Sequence, residues 1–340
     1  MPTPLKLTRS QILAFRRRVG ALDERLPRGT SSLRRAAWAG LQDSMPRAAL
    51  LSIHARVAGT GPSTWEDPSL VQLWGPRFSD YVVAARDLAV FSLGRYPDDA
   101  KGQQVAEDLA ARLKTLLRGS ATMTYAEAGR ALGVPPNSLR YAATTGTVVM
   151  RWDGAHRPVI WTVPRPDIQS RDARIELARR HLHIFGPTSS DAFARWAGIG
   201  RRQAAGAFDS LSKALTPVRT PVGDGWILTR DQATFRAAPH VPSGVRFLPS
   251  GDAYILLQGA DRELVVPDAT QRADLWPSRV WPGGVLLDGE IAGTWRRSNA
   301  AMTIRPWRRL TRNHRNAIEA EALALPLPGL QGSIVVRWEN

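Results

Sequence analysis

A chain of 340 residues, 43% hydrophobic and 22% charged, has the length of two to four small domains and an ordinary globular composition. It contains no cysteine, which excludes disulfides, thiolate-bound zinc, iron–sulfur clusters and thiol catalysis. No apolar run approaches the ~20 residues of a membrane helix, and Met1-Pro2-Thr3-Pro4 opens no signal-peptide core, so a cytoplasmic monomer is expected.

The net charge of +16 makes a polyanion the expected partner, with DNA, RNA and anionic lipid as candidates. Lysine occurs at Lys6, Lys101, Lys114 and Lys213 alone, so arginine carries nearly all of the positive charge. Its planar fork suits bidentate contact with phosphate. GC-rich coding raises arginine over lysine, but it does not by itself leave a chain short of acids.

In chain order, the first hundred residues read as helical. Thr8 caps a helix running through Arg16-Arg17-Arg18, a second helix spans Ser32 to Ala39, and a third runs from Pro46 to Val57. Thr124-Tyr125-Ala126-Glu127 has the form of a capping box. Its helix ends at Gly133, and Pro136 opens the next. An alternating run, Val148 to Trp152, then turns at Asp153-Gly154 and returns as Pro158 to Trp161. Helix, turn, helix and hairpin in that order predict a winged helix.

A second copy follows about 65 residues on. Ser190 to Ala197 is its first helix, Gly198-Ile199-Gly200 its turn, and Arg201 to Leu211 its second helix. Pro217 to Thr220 and Gly225 to Arg230 form its hairpin around Gly223-Asp224. From about residue 244 the texture changes to short apolar runs split by Gly, Pro and Asp. They begin at Val245, Tyr254, Glu263, Gly284, Glu290 and Met302, and predict a small antiparallel barrel or sandwich. A helix from Arg312 to Leu325 and a closing strand at Ser333 to Trp338 complete it. The expected fold is therefore α+β, tandem winged helices followed by an antiparallel β-barrel, with units at 1–103 (a helical or winged-helix unit), 104–166, 167–231 and 232–340.

Four segments then carry a resemblance to a known family. They are Gly40-Leu41-Gln42-Asp43-Ser44-Met45-Pro46-Arg47 with Ala55-Arg56, and Gly186-Pro187-Thr188 with Trp196-Ala197-Gly198. Phe247-Leu248-Pro249 with Asp252-Ala253-Tyr254 is the third, and Leu287-Asp288-Gly289 with Gly293-Thr294-Trp295-Arg296 the fourth. Together and in this order they resemble the AlkZ/YcaQ family of DNA glycosylases, which implies three winged helices, a C-terminal barrel and an enzyme acting on alkylated, bulky or crosslinked purines in double-stranded DNA. With four lysines and none near Gln42 in sequence, a hydrolytic, monofunctional mechanism is expected over an amine-linked one. Two departures stand out. The family's Gln-x-Gln or Gln-x-Asp triplet is Gln42-Asp43-Ser44 here, and Tyr81, after Arg77, holds a position where the family often has histidine.

An alkylated purine already bears positive charge and leaves readily, so amide side chains suffice to hold the attacking water. Gln42 is the first candidate for that task. Ser44, two residues on, faces the same way in an extended stretch, and Asp43 is a candidate carboxylate for stabilising an oxocarbenium ion. The simpler reading has Asp43-Ser44 merely capping the helix near Pro46. His54 lies on that helix, where a structural role is the simpler one. His181 and His183, two apart, lack metal spacing; no metal and no cofactor are expected.

Arg140, Arg201 and Arg202 on the second helices and Arg157 beside the first wing are candidate DNA contacts, with Arg296 in the β-rich part. Arg47, Arg56 and Arg77 in the family-like segments join them, as does Arg262 in the turn Gln258 to Arg262, the candidate duplex-probing hairpin. Trp276 and Trp281 read as core. The competing readings are a non-catalytic DNA-binding protein of the same architecture and a transcriptional regulator with a ligand-sensing barrel.

Affinity for a plain duplex should fall steeply between about 50 and 200 mM salt as phosphate-bound counterions are displaced. A filter-binding titration across that range tests this, and a flat response would mean that the basic surface does not bind DNA. Arg201→Ala with Arg202→Ala should weaken binding to every sequence about equally.

Overall fold

Local capping chemistry starts the helices where the sequence places it. In the computed structural model, which describes residues 4–45, 47–118, 121–152, 157–330 and 332–339, the Thr8 hydroxyl accepts from the Gln11 backbone at the head of helix Arg9–Val19. The Thr124 hydroxyl likewise accepts from the Glu127 backbone amide, and Glu127 returns a bond to the Thr124 amide, heading Tyr125–Leu132.

One order of elements occurs three times: helix, short strand, helical segments, hairpin. Its first copy is helix Thr30–Ala36, strand Leu41–Gln42, helix Ala48–Arg56, the short helical turn Thr64–Glu66, and the hairpin Leu70–Trp74 with Asp80–Ala84. The second comprises Ala100–Leu117, Met123–Thr124, Tyr125–Leu132, Pro136–Thr145, and the hairpin Val148–Arg151 with Val159–Thr162. Pro136–Thr145 is a 3-10 helix, and the expected turn at Asp153-Gly154 lies outside the described residues. The third is Ser170–Phe185, a bridge at Thr188, Ser190–Ala197, Arg201–Ser210, and the hairpin Leu215–Thr220 with Gly223–Leu228. Gly223 and Asp224, expected at its turn, already lie in the strand.

In each copy the short strand pairs with the second strand of its hairpin: Gln42 with Tyr81, Thr124 with Val159, Thr188 with Trp226. The first two hairpins also meet edge to edge at Gln72 and Met150, making one six-stranded sheet with the same order of parts from either end. The third hairpin gains Leu5–Lys6 as a parallel strand.

The C-terminal part corrects the barrel expectation. Val245–Leu248, Gly283–Leu287, Glu290–Ser298, Ala301–Pro306 and Val335–Trp338 form an open five-stranded sheet, and among the described residues the last strand does not return to the first. It is mixed, because Val335–Trp338 runs parallel to its neighbour. Tyr254 to Leu257 and Glu263 to Val266 are not strands. The first follows a turn anchored by Asp252, and Asp261–Val265 is a short helix. That helix also replaces the hairpin expected around Gln258 to Arg262.

The units share one core. Its largest cluster joins Leu13, Tyr81 and Phe91 to Phe193 and Trp196 of the third copy and to Leu248, Ile255 and Trp276 of the C-terminal part. Buried arginines tie the same parts together through carbonyls: Arg16 donates to Phe185 and Gly186, Arg95 to Trp74 and Ala197, and Arg180 to Trp38. Arg56 adds a tie through a buried carboxylate. It reaches Asp252 through two bonds of 2.6 and 2.8 Å, and Ser52 donates to the same carboxylate at 2.7 Å.

Replacing one partner, as in Arg56→Ala, strands the other charge in the interior and should cost about 3–5 kcal/mol of unfolding free energy. Urea melts of Arg56→Met, Asp252→Leu and the double variant check this. The double variant should lose less than the sum of the singles, and strict additivity would show that the pair does not act as a pair.

Candidate active site

The strand Leu41–Gln42 is two residues long because the chain turns out of the sheet at Asp43, whose amide donates to the Asp80 carbonyl at 2.7 Å. The turn leaves Gln42 half-buried and Ser44 exposed, with the Gln42 amide nitrogen donating to the Ser44 hydroxyl at 2.9 Å. The two side chains of the expected pair are therefore brought together. On its other side the Gln42 carbonyl accepts a long bond, 3.4 Å, from the Arg77 guanidinium.

The C-terminal part closes over this amide. Gly251 has φ +89°, and a Cβ there would lie 3.3 Å from the Gln42 side-chain carbon, so strain and contact both favour glycine. The Asp252–Arg56 ion pair fixes the next residue to the helix that follows the triplet. Tyr81, across the ladder from Gln42, is fully buried, with its ring against Gly40 and Gly75. Burial pushes its phenol up to about 12, so it is a packing group where the family often has an imidazole.

Asp43 is buried, and its oxygens are committed. One accepts from the Ala49 amide at 2.9 Å, the other from the Gln72 amide at 2.8 Å, and the Gln72 carbonyl accepts from the Trp152 backbone at 2.6 Å. This corrects the expectation of a stabilising carboxylate: Asp43 braces the turn and links it to the second hairpin. Desolvation drives its pKa up to about 7 against the bonds from Ala49 and Gln72.

Beside the triplet, between it and the C-terminal sheet, lies a cavity of about 570 Å³. Met45, Ala48 and Leu51 form one wall, Trp281 and Trp295 another, and Arg296, Arg297 and Arg337 give it positive charge. Arg297 belongs, with Arg296, to the basic run that the sequence offers as a phosphate-contacting group, whereas nothing in the sequence distinguishes Arg337.

The expected DNA contacts divide. Arg157, Arg201, Arg202 and Arg296 are exposed. Arg140 is half-buried and donates to Asn137 at 2.7 Å. Arg47 stacks over Trp65 at 3.8 Å, with Arg151 over the same ring at 4.3 Å. Arg56 is corrected to a structural residue, because it is only 3% exposed and its guanidinium is paired with Asp252. Arg262 is half-buried, donating to the Leu257 carbonyl and lying over Trp276 and Trp281. His54 bonds Thr60 at 2.6 Å and stands beside Glu321, away from the triplet. His181 and His183 bond Thr188 and Asp231.

The family model described as DNA glycosylase AlkZ-like matches residues 35–326. Among solved structures, Streptomyces sahachiroi DNA glycosylase AlkZ is similar at a TM-score of 0.75 and 17% identity, over 98% of this chain and 100% of that one. At that identity the likeness speaks for the fold. None of the curated proteins matches the sequence. Among the described residues no helix is long and apolar enough to cross a membrane.

The raised Asp43 pKa has a definite sign in stability. The folded chain keeps a proton that the unfolded chain releases between about pH 4 and 7, so this group's contribution falls as pH rises through that window. Asp43→Asn should remove that component, giving a flatter plot of urea midpoint against pH. Parallel profiles for the two proteins would show that Asp43 does not titrate there.

Proposed function

The chain belongs to the AlkZ-like DNA glycosylase family, and on that premise we propose that it hydrolyses the N-glycosidic bond of alkylated purines in double-stranded DNA. The observation that carries this reading is the Gln42–Ser44 pair, held open at 2.9 Å beside a basic, aromatic cavity. Amide and hydroxyl together supply the donor and acceptor that position a water at C1′. As the water oxygen bonds to C1′, the C1′–N bond breaks and its electron pair passes to the base nitrogen, cancelling the charge of the alkylated purine. The water's proton leaves to solvent, since the Asp43 oxygens are already engaged.

The three helix-and-hairpin copies are, in this reading, tandem winged helices that track phosphates through Arg157, Arg201 and Arg202. The cavity beside Met45 takes the modified base, and its 570 Å³ favour bulky adducts. Among the described residues no lysine lines it, which supports hydrolysis over an amine-linked, bifunctional mechanism. One observation favours the second reading, a DNA-binding protein without this chemistry: Ser44 stands where the family carries an amide or carboxylate.

Gln42→Ala should slow single-turnover base release from alkylated DNA by about 10²-fold or more, with duplex affinity nearly unchanged, because Gln42 neutralises no phosphate. Ser44→Gln should raise the rate. Base release that is absent from the parent protein across several alkylating agents would leave the second reading standing.

A further inference from the structure

A second cavity, of about 430 Å³, shares no lining residue with the first. Its walls come from all three repeats: Phe78 follows the first hairpin strand, Tyr141 and Val105 belong to the second copy, and Ile199 and Gly200 form the turn before Arg201. Phe78 and Tyr141 meet edge to face at 5.3 Å, and Tyr141 keeps 46% of its surface exposed. Such a half-open aromatic pair presents a face on which a flat ring can stack.

Arg95 forms part of the lining and is 4% exposed. Two of its nitrogens donate to the Trp74 and Ala197 carbonyls, and its plane lies 4.6 Å from the Phe78 ring. Its third nitrogen, Nη2, is enclosed and has no hydrogen-bond partner among the described residues. A buried cation with an unspent donor calls for a ligand with an electron-rich oxygen or nitrogen. Burial lowers its pKa to about 9, which still leaves it charged at neutral pH.

The cavity is joined to the triplet by one strained step. Arg77 and Phe78 both have positive φ, 55° and 56°. The bend sends Arg77 to the Gln42 carbonyl and Phe78 to Tyr141. The Arg77 backbone sits 2.9 Å from where a Cβ on Gly198 would be, so the turn of the third copy locks the bend in place.

We propose that this cleft receives an unpaired nucleobase: the partner left behind when the modified base is drawn toward Gln42. The inference rests on the glycosylase reading. The sugar at Gln42 carries one base, for which the Met45 cavity is adjacent, so a second base-sized aromatic site, joined to the triplet through Arg77 and Phe78, serves a different nucleotide. Stacking on Tyr141, with the charge of Arg95 behind Phe78 and a side-chain shift that bares the enclosed Nη2 to a base carbonyl or ring nitrogen, would hold it there and would lower the cost of opening the pair.

The test uses the full chain and a duplex carrying 5-iodouracil opposite a tetrahydrofuran abasic-site analogue. Irradiation of the complex should crosslink the iodouracil to the peptide containing Tyr141, identified by mass spectrometry. Tyr141→Ala should weaken the analogue duplex about tenfold more than a fully paired duplex, and Tyr141→Phe should restore the difference. A bound duplex that crosslinks elsewhere, or a Tyr141→Ala variant that weakens both duplexes alike, overturns the proposal. Gln42-dependent base release is measured in parallel. If it persists while the crosslink is missing, the glycosylase reading stands without this site; if the crosslink forms without base release, the reverse holds.

Discussion

The buried pair between Arg56 and Asp252 is the constraint on which the candidate site depends. Desolvation of the carboxylate opposes it, and the adjacent guanidinium outweighs that cost, holding the Asp252 carboxyl below its usual range. Two bonds fix the orientation of both groups, so the loop before Asp252 has one position relative to the helix after Gln42. Gly251 is then pressed onto the Gln42 side chain, and the amide is limited to rotamers that face Ser44 and Arg77. Apolar residues of similar size would bring the surfaces together but would not fix their register.

Arginine does two different jobs in this chain, and a net charge of +16 does not separate them. Arg16, Arg17, Arg56, Arg95, Arg174 and Arg180 are all nearly enclosed, most of them bonded to carbonyls of another unit. A guanidinium can satisfy several carbonyls at once while its stem packs against apolar groups, which suits junctions where helices end and carbonyls are left over. The surface available to a polyanion is therefore carried by a smaller set, to which Arg157, Arg201, Arg202 and Arg296 belong.

What the sequence made legible was mostly local. The Thr8 and Thr124 caps, the glycine turns at Gly133 and Gly198 and the hairpin pairings rest on contacts within a few residues, and they appear where expected. The family-like segments also drew attention to Gln42 and Ser44, which do touch. The failures have physical causes. Tyr254 to Leu257 and Glu263 to Val266 are apolar runs too short to distinguish strand from helix by period. Arg56 looked like a surface cation because its partner lies 196 residues away. Asp43 looked like a reactive acid because nothing nearby in sequence reveals Gln72, 29 residues on, as the group that occupies it.

The six-stranded sheet built from the first two repeats ends on both sides in a strand of two residues, Leu41–Gln42 and Met123–Thr124. A long, flat outer strand would offer a row of unpaired amides and carbonyls on which another molecule's strand could add. Here each border offers too few rungs to template such growth, so joining two hairpins edge to edge extends the sheet without making it adhesive. The same brevity lets the chain leave the ladder immediately after Gln42. An abrupt border thus guards against self-association and, at one of its two ends, turns a side-chain amide toward solvent.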